Sequence, residues 1–123
     1  MQKKILIVED EESLLKLESI LLTTKGYHVR GATTGAAALE AAAEDPPDLV
    51  LLDIMLPGID GFEVCQRLKN TPETSHIPVV FLTAKKTPED EARGRNVGAD
   101  AYITKPFKSA MVMDTIEELL QTD

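Results

Sequence analysis

Residues 49–56 read LVLLDIML. Four apolar residues, Leu49 to Leu52, run straight into Asp53, and the chain turns apolar again at Ile54, Met55 and Leu56. A run this short and this apolar, bounded by Pro46-Pro47 before it and Pro57-Gly58 after it, predicts a strand buried on both faces. An unpaired carboxylate in such company is costly. The fold must therefore place Asp53 at the mouth of the strand and supply something that keeps it ionised.

Working outward, the same pattern recurs. Ile5-Leu6-Ile7-Val8 is a second buried run and ends in Glu9-Asp10-Glu11-Glu12. Pro78 opens a third, Val79 to Leu82, which ends at Thr83. Tyr27 to Arg30 and Ala101 to Ile103 are weaker strand candidates, the latter followed by Lys105-Pro106. Between the strands lie helical signals. Leu14, Leu17 and Leu21, with Leu15 and Leu22 beside them, recur at helical spacing up to Gly26. Thr33-Thr34 offers an N-cap to an alanine-rich helix over 36–43. Asp60 and Glu63 stand in capping-box register ahead of Phe62, Cys65 and Leu68. Thr87-Pro88 reads as an N-cap with proline at the first helical position, and that helix is expected to close at Gly98. Val112, Ile116, Leu119 and Leu120 form a last amphipathic stripe, with Met111 and Met113 read as helix packing. Strand and helix thus alternate five times. Fully apolar strands separated by helices predict an α/β, doubly wound parallel sheet covered on both faces.

Bulk properties narrow the function. The 123 residues suit one domain, spanning 1–123, with no linker or internal repeat. Acidic residues outnumber basic ones, 21 to 13, for a net charge of -8. Such a surface repels nucleic acid and anionic membranes, so neither is expected as a direct partner. A single cysteine, Cys65, allows no internal disulfide and fits a cytoplasmic location. The N-terminal apolar run is too short for a signal peptide or a membrane span. The polar end Gln121-Thr122-Asp123 has no structural signal of its own.

The chemistry lies in the residues just past the end of each run. In an open parallel sheet, all strand C-terminal ends lie along one edge. Glu9, Asp10, Asp53, Thr83 and Lys105 are therefore expected to converge there, far apart though they are in sequence. Three carboxylates against one ammonium raise one another's pKa unless a cation compensates. A hard divalent ion such as Mg²⁺ suits one or two direct carboxylates with retained waters. Aspartate carboxylates are competent nucleophiles toward phosphoryl groups, and such transfer needs mainly positioning and charge neutralisation. Taken singly, each residue has a plainer reading: strand-end hydroxyl, helix-terminal acid, solvated lysine. Their joint placement at successive strand ends is what the plain readings do not explain. Cys65 reads as a small buried side chain, and His28 and His76 as solvated or locally bonded.

The segments IVEDEE, LVLLDIMLPGIDGFE, IPVVFLTAK and GADAYITKPF together resemble the landmark segments of a response-regulator receiver domain of two-component signalling, over nearly the whole chain. The resemblance implies a flavodoxin-like (βα)5 fold with strand order 2-1-3-4-5. It implies that Asp53 is the phospho-acceptor and that Mg²⁺ is held by Asp10, Asp53 and the Met55 carbonyl, with Glu9 acting mainly through water. Thr83 and Lys105 would contact the phosphoryl group, Thr83 and Tyr102 would form the switch, and Lys105-Pro106 would be cis, a minority geometry of roughly 5–6% of X-Pro bonds otherwise. Implied partners are a sensor histidine kinase or a His-containing phosphotransfer protein. An effector, or a second copy, would dock on the face of the fourth helix, fifth strand and fifth helix, which carries Arg95, Tyr102 and Lys108. The domain would promote only its own phosphorylation and dephosphorylation. Two departures stand out: Glu9 where many relatives have aspartate, and Arg95 beside a mid-helix Gly94.

Competing readings are weaker. An aspartate-nucleophile phosphatase needs a second carboxylate two residues after the nucleophile, and that position is Met55. A flavodoxin-like cofactor site needs hydroxyls and glycines after the first strand, where four acids stand. A docking module that does not use phosphorylation would not require the full residue set.

Overall fold

The computed structural model describes residues 2–121; Met1 and the terminal Thr122 and Asp123 lie outside them. Five strands, β1 (Lys4–Val8), β2 (His28–Ala32), β3 (Leu49–Leu52), β4 (Val79–Thr83) and β5 (Ala101–Thr104), form one parallel sheet in the order β2-β1-β3-β4-β5. Five helices connect and complete it: α1 (Glu12–Thr24), α2 (Gly35–Glu44), α3 (Gly61–Asn70), α4 (Pro88–Asn96) and α5 (Ser109–Leu120).

Strand alternation explains why the runs are apolar throughout. Ile5, Ile7, Leu49, Leu51, Val80, Leu82 and Ile103 point to one face, where Leu22 of α1 and Val112 and Ile116 of α5 cover them. Leu6, Val8, Val50, Leu52, Val79 and Phe81 point to the other, against α2, α3 and the Gly98-side flank of α4. Each face needs its own apolar set, so after Lys4, which opens β1, no position in β1, β3 or β4 is left for a polar residue until the strand ends.

The caps fall where the sequence places them, with one change of partner. Thr34, Asp60 and Thr87 each accept a hydrogen bond from the backbone N–H three residues on, and Pro88 opens α4. The capping box at α3 is only half formed: Glu63 donates its N–H to Asp60, but its carboxylate pairs with Arg67 instead of reaching back. Helix α4 runs to Asn96 with Val97 as its C-cap, and Gly98, at φ 103°, closes it as expected.

One expectation fails on burial. Among the leucines at helical spacing in α1, Leu17 is exposed, and the buried positions of the helix are Glu18 and Leu22. Met111, read as helix packing, is exposed and does not pack inward, unlike Met113. Cys65 is buried, with burial pushing its thiol up to about 11, so it is a space-filling side chain. His28 and His76 are exposed as expected. No described helix is long and apolar enough to cross a membrane.

Candidate functional site

The alternation that fills the core also aims the site. Continued one step past the strand ends, the face of Ile7, Leu51 and Ile103 arrives at Glu9, Asp53 and Lys105. The opposite face, running through Phe81, arrives at Thr83. Three charged groups thus share one side of the sheet edge, and the hydroxyl stands on the other.

Their geometry answers the question raised by Asp53. The residue is 7% exposed, and both of its carboxylate oxygens are held. Oδ1 accepts from the Met55 backbone N–H at 3.1 Å, and Oδ2 accepts from Lys105 Nζ at 3.2 Å. Lys105 Nζ also donates to Glu9 Oε1 at 2.5 Å, and Glu9 Oε2 accepts from the Glu11 N–H. One ammonium therefore bridges two carboxylates delivered by strands that are neighbours in the sheet. Burial works against the charge on Lys105, but its bonds and charge interactions with Glu9 and Asp53 outweigh it, and its pKa is raised. Glu9 is raised too, because burial outweighs what Lys105 and the Glu11 N–H offer.

Asp10 completes the cluster from an exposed position. Glu9, Asp10 and Asp53 each present a carboxylate oxygen, all within 4.8 Å of one another. Three hard oxygen donors against one ammonium make a group that could hold a metal ion. Met55, two residues beyond Asp53, is exposed at the rim.

Thr83 is fully buried, and its Oγ1 accepts from the Lys85 N–H at 3.3 Å. The Lys85 carbonyl accepts from the Tyr102 hydroxyl at 2.7 Å. Lys85 backbone thus joins the two residues singled out as a switch. The Tyr102 ring lies edge-on to Phe81, which in turn meets Phe62, and Arg93 sits 4.3 Å over the Phe62 ring. Burial, then the charges of Asp90, Glu91 and Asp53, push the Tyr102 phenol up to about 12, so it stays a hydrogen-bond donor. The Lys105–Pro106 peptide is cis. Arg95 and Lys108 are exposed on the flank that Tyr102 joins.

The chain that builds this edge, with an acidic cluster bridged by a lysine just past the last strand and a buried threonine across from it, has relatives of known family. The response regulator receiver domain family matches residues 5–117. The chain belongs to the response regulator receiver domain family. The receiver is 42% identical to the polar-differentiation response regulator DivK of Brucella ovis, over 98% of each chain. It is 43% identical to the response regulator PleD of Caulobacter vibrioides, over 97% of the receiver but 26% of PleD. Against the alkaline phosphatase synthesis transcriptional regulatory protein PhoP of Bacillus subtilis it is 42% identical and covers 50% of that protein. The receiver therefore spans about a quarter and a half of two of these relatives, and nearly all of DivK.

Solved structures agree. A putative response regulator from Chloroflexus aurantiacus superposes with a TM-score of 0.95 at 31% identity, covering 99% of the receiver and 100% of that chain. The chemotaxis response regulator CheY4 of Vibrio cholerae gives 0.91 at 29% identity, covering 98% and 100%. The fold is thus the flavodoxin-like receiver fold with order 2-1-3-4-5, and the domain is a phosphoryl-accepting switch of two-component signalling.

One group at this edge went unmarked in the sequence. Glu18 of α1 is buried on the sheet-facing side, and its Oε2 has no hydrogen-bond partner among the described residues. The available signal was its place on the line Leu15, Glu18, Leu22, which a periodicity count of leucines passes over.

Proposed function

We propose that residues 1–123 act as a single receiver domain whose phospho-acceptor is Asp53. The donor is a phosphohistidine of a sensor kinase or a phosphotransfer protein: its P–N bond breaks as a P–O bond to the Asp53 carboxylate forms. Asp10, Asp53 and the Met55 carbonyl are assigned to Mg²⁺, and Glu9 is assigned a contact through water. Bound there, Mg²⁺ would offset the carboxylate charge and that of the phosphoryl oxygens.

The chain's own groups supply the rest. The Met55 N–H and Lys105 orient the Asp53 carboxylate before any donor arrives. Lys105 must then exchange its bond to Asp53 for one to a phosphoryl oxygen, and its second bond to Glu9 keeps it in place while it does so. The Thr83 hydroxyl meets another oxygen from the opposite side. Any shift of Thr83 is passed through Lys85 backbone to Tyr102, and so to the α4-β5-α5 face, where an effector or a second copy docks. Hydrolysis of the aspartyl phosphate resets the domain, which acts on no other substrate.

The observation that carries this reading is the Glu9–Lys105–Asp53 bridge, in which one ammonium pairs two strand-end carboxylates at an acidic edge. The test is incubation with acetyl phosphate and Mg²⁺ followed by intact mass. One phosphoryl group is expected on the native chain and none on Asp53→Asn. Equal labelling of that variant would reject the assignment.

A further inference from the structure

Helix α1 turns a carboxyl group, not an apolar side chain, toward the end of the sheet. Glu18 is 4% exposed, and its Oε2 is unpartnered among the described residues. Leu22, one turn further on, packs with Ile5 and Ile7. Glu18 therefore stands about 6 Å nearer the carboxyl edge of the sheet. That is where the same side of β1 continues to Glu9. No hydrogen bond joins Glu18 to Glu9, Asp10 or Asp53, yet the crevice acts on it at a distance.

Burial first, then the charge of Glu9 from β1 and of Asp53 from β3, push Glu18 up to about 7 against the opposing charge of Lys105 beyond β5. Among the described residues, α5 and β2, the other elements along this side of α1, add no charge to it. This carboxyl is thus brought to neutrality mainly by its burial, with the charges of the crevice adding to it.

We propose that Glu18 is a proton reservoir for the acidic crevice, protonated while no divalent cation is bound there and deprotonated when one binds. The inference rests on the metal assignment above. Two added positive charges favour the carboxylate form of a nearby buried acid. By linkage, the same coupling makes the cation bind more tightly once Glu18 is ionised. Glu18→Gln fixes the neutral form, so its cation affinity should fall below the native value by about three- to tenfold at pH 8, and match it near pH 6. Glu18→Leu, which removes the polar group altogether, should behave the same way.

Carboxyl-carbon NMR of the full chain, in MgCl₂ and in NaCl of equal ionic strength, tests this directly. The Glu18 resonance is assigned by its loss in Glu18→Gln. A midpoint near neutrality in NaCl that falls in MgCl₂ is the expected result. A midpoint in the ordinary carboxylate range, or one that is the same in both salts, overturns the proposal. The Asp10 and Asp53 resonances separate the two readings. If they respond to Mg²⁺ while Glu18 does not, the reservoir is rejected and the metal site stands. If none responds, both fall.

Discussion

At the scale of single residues, the site is a problem in charge placement. Asp53 is tolerated because Lys105 and a backbone N–H meet its two oxygens at a strand mouth. Asp10→Ala should weaken Mg²⁺ binding strongly, and Glu9→Gln should weaken it less, as calorimetric titration would register; equal losses would contradict the assigned roles. Glu18 has the opposite economy, since no hydrogen bond meets its buried Oε2 and the charge of Lys105 offsets the loss of water only in part. Its folded pKa of about 7 lies above the unfolded value of 4.5. The folded state therefore binds more protons between those values, and stability falls as pH rises through that window. Above neutrality the cost saturates at about 3 kcal/mol. Glu18→Gln should thus raise the urea midpoint clearly at pH 8 and by much less near pH 5; a uniform change would show that ionisation is not the cause. The strand-end residues were legible because each ends an unbroken apolar run. Glu18 was not, because a burial pattern read from leucines has no place for a carboxyl.

At the scale of elements, local signals located the helices well and left the orientation of α1 open. Caps are short-range devices, so Thr34, Asp60 and Thr87 could be read directly from neighbouring residues. Which side of α1 faces the sheet depends on the sheet, and the sequence offered two stripes. Leu14, Leu17 and Leu21, with Phe107 and Pro106, instead line a surface groove of about 690 Å³. The half-formed box at α3 makes a distinct forecast. Asp60→Ala should cost about 1 kcal/mol, within the range for a lost N-cap, and Glu63→Ala should cost less, by urea unfolding. Two glycines matter for what they touch. A Cβ at Gly61 would lie 2.3 Å from the Asp53 carbonyl oxygen, so α3 can seat against the acceptor loop only without a side chain there. A Cβ at Gly94 would lie 2.9 Å from Tyr102 Cδ2. The mid-helix glycine costs about 1 kcal/mol in propensity relative to alanine. In exchange, the ring can lie against α4. Gly94→Ala should displace the ring and break the Tyr102–Lys85 bond. Tyrosine ring chemical shifts would report this, and unchanged shifts would mean that the helix yields instead.

At the scale of the whole molecule, the order β2-β1-β3-β4-β5 places β1 and β3 side by side and brings Lys105 back across the edge to both. The alternation of strands and helices made the class legible; the strand order followed from resemblance, because spacing alone does not choose among right-handed windings. A net charge of -8 means that cations in general will stabilise the fold, so the informative comparison is between salts. Mg²⁺ should raise the melting temperature beyond NaCl of equal ionic strength, by the mass action of a ligand bound to the native state. Asp10→Ala should erase that excess. The bridge from Lys105 to Glu9 joins residues 96 positions apart. A chain emerging from the ribosome carries Glu9 and Asp53 well before their counter-ion, Lys105. Until β5 is synthesised and docked, the nascent protein holds an acidic edge with no lysine to complete it. The bridge therefore arrives only with β5, and a product truncated before it lacks the lysine that pairs with Glu9 and Asp53.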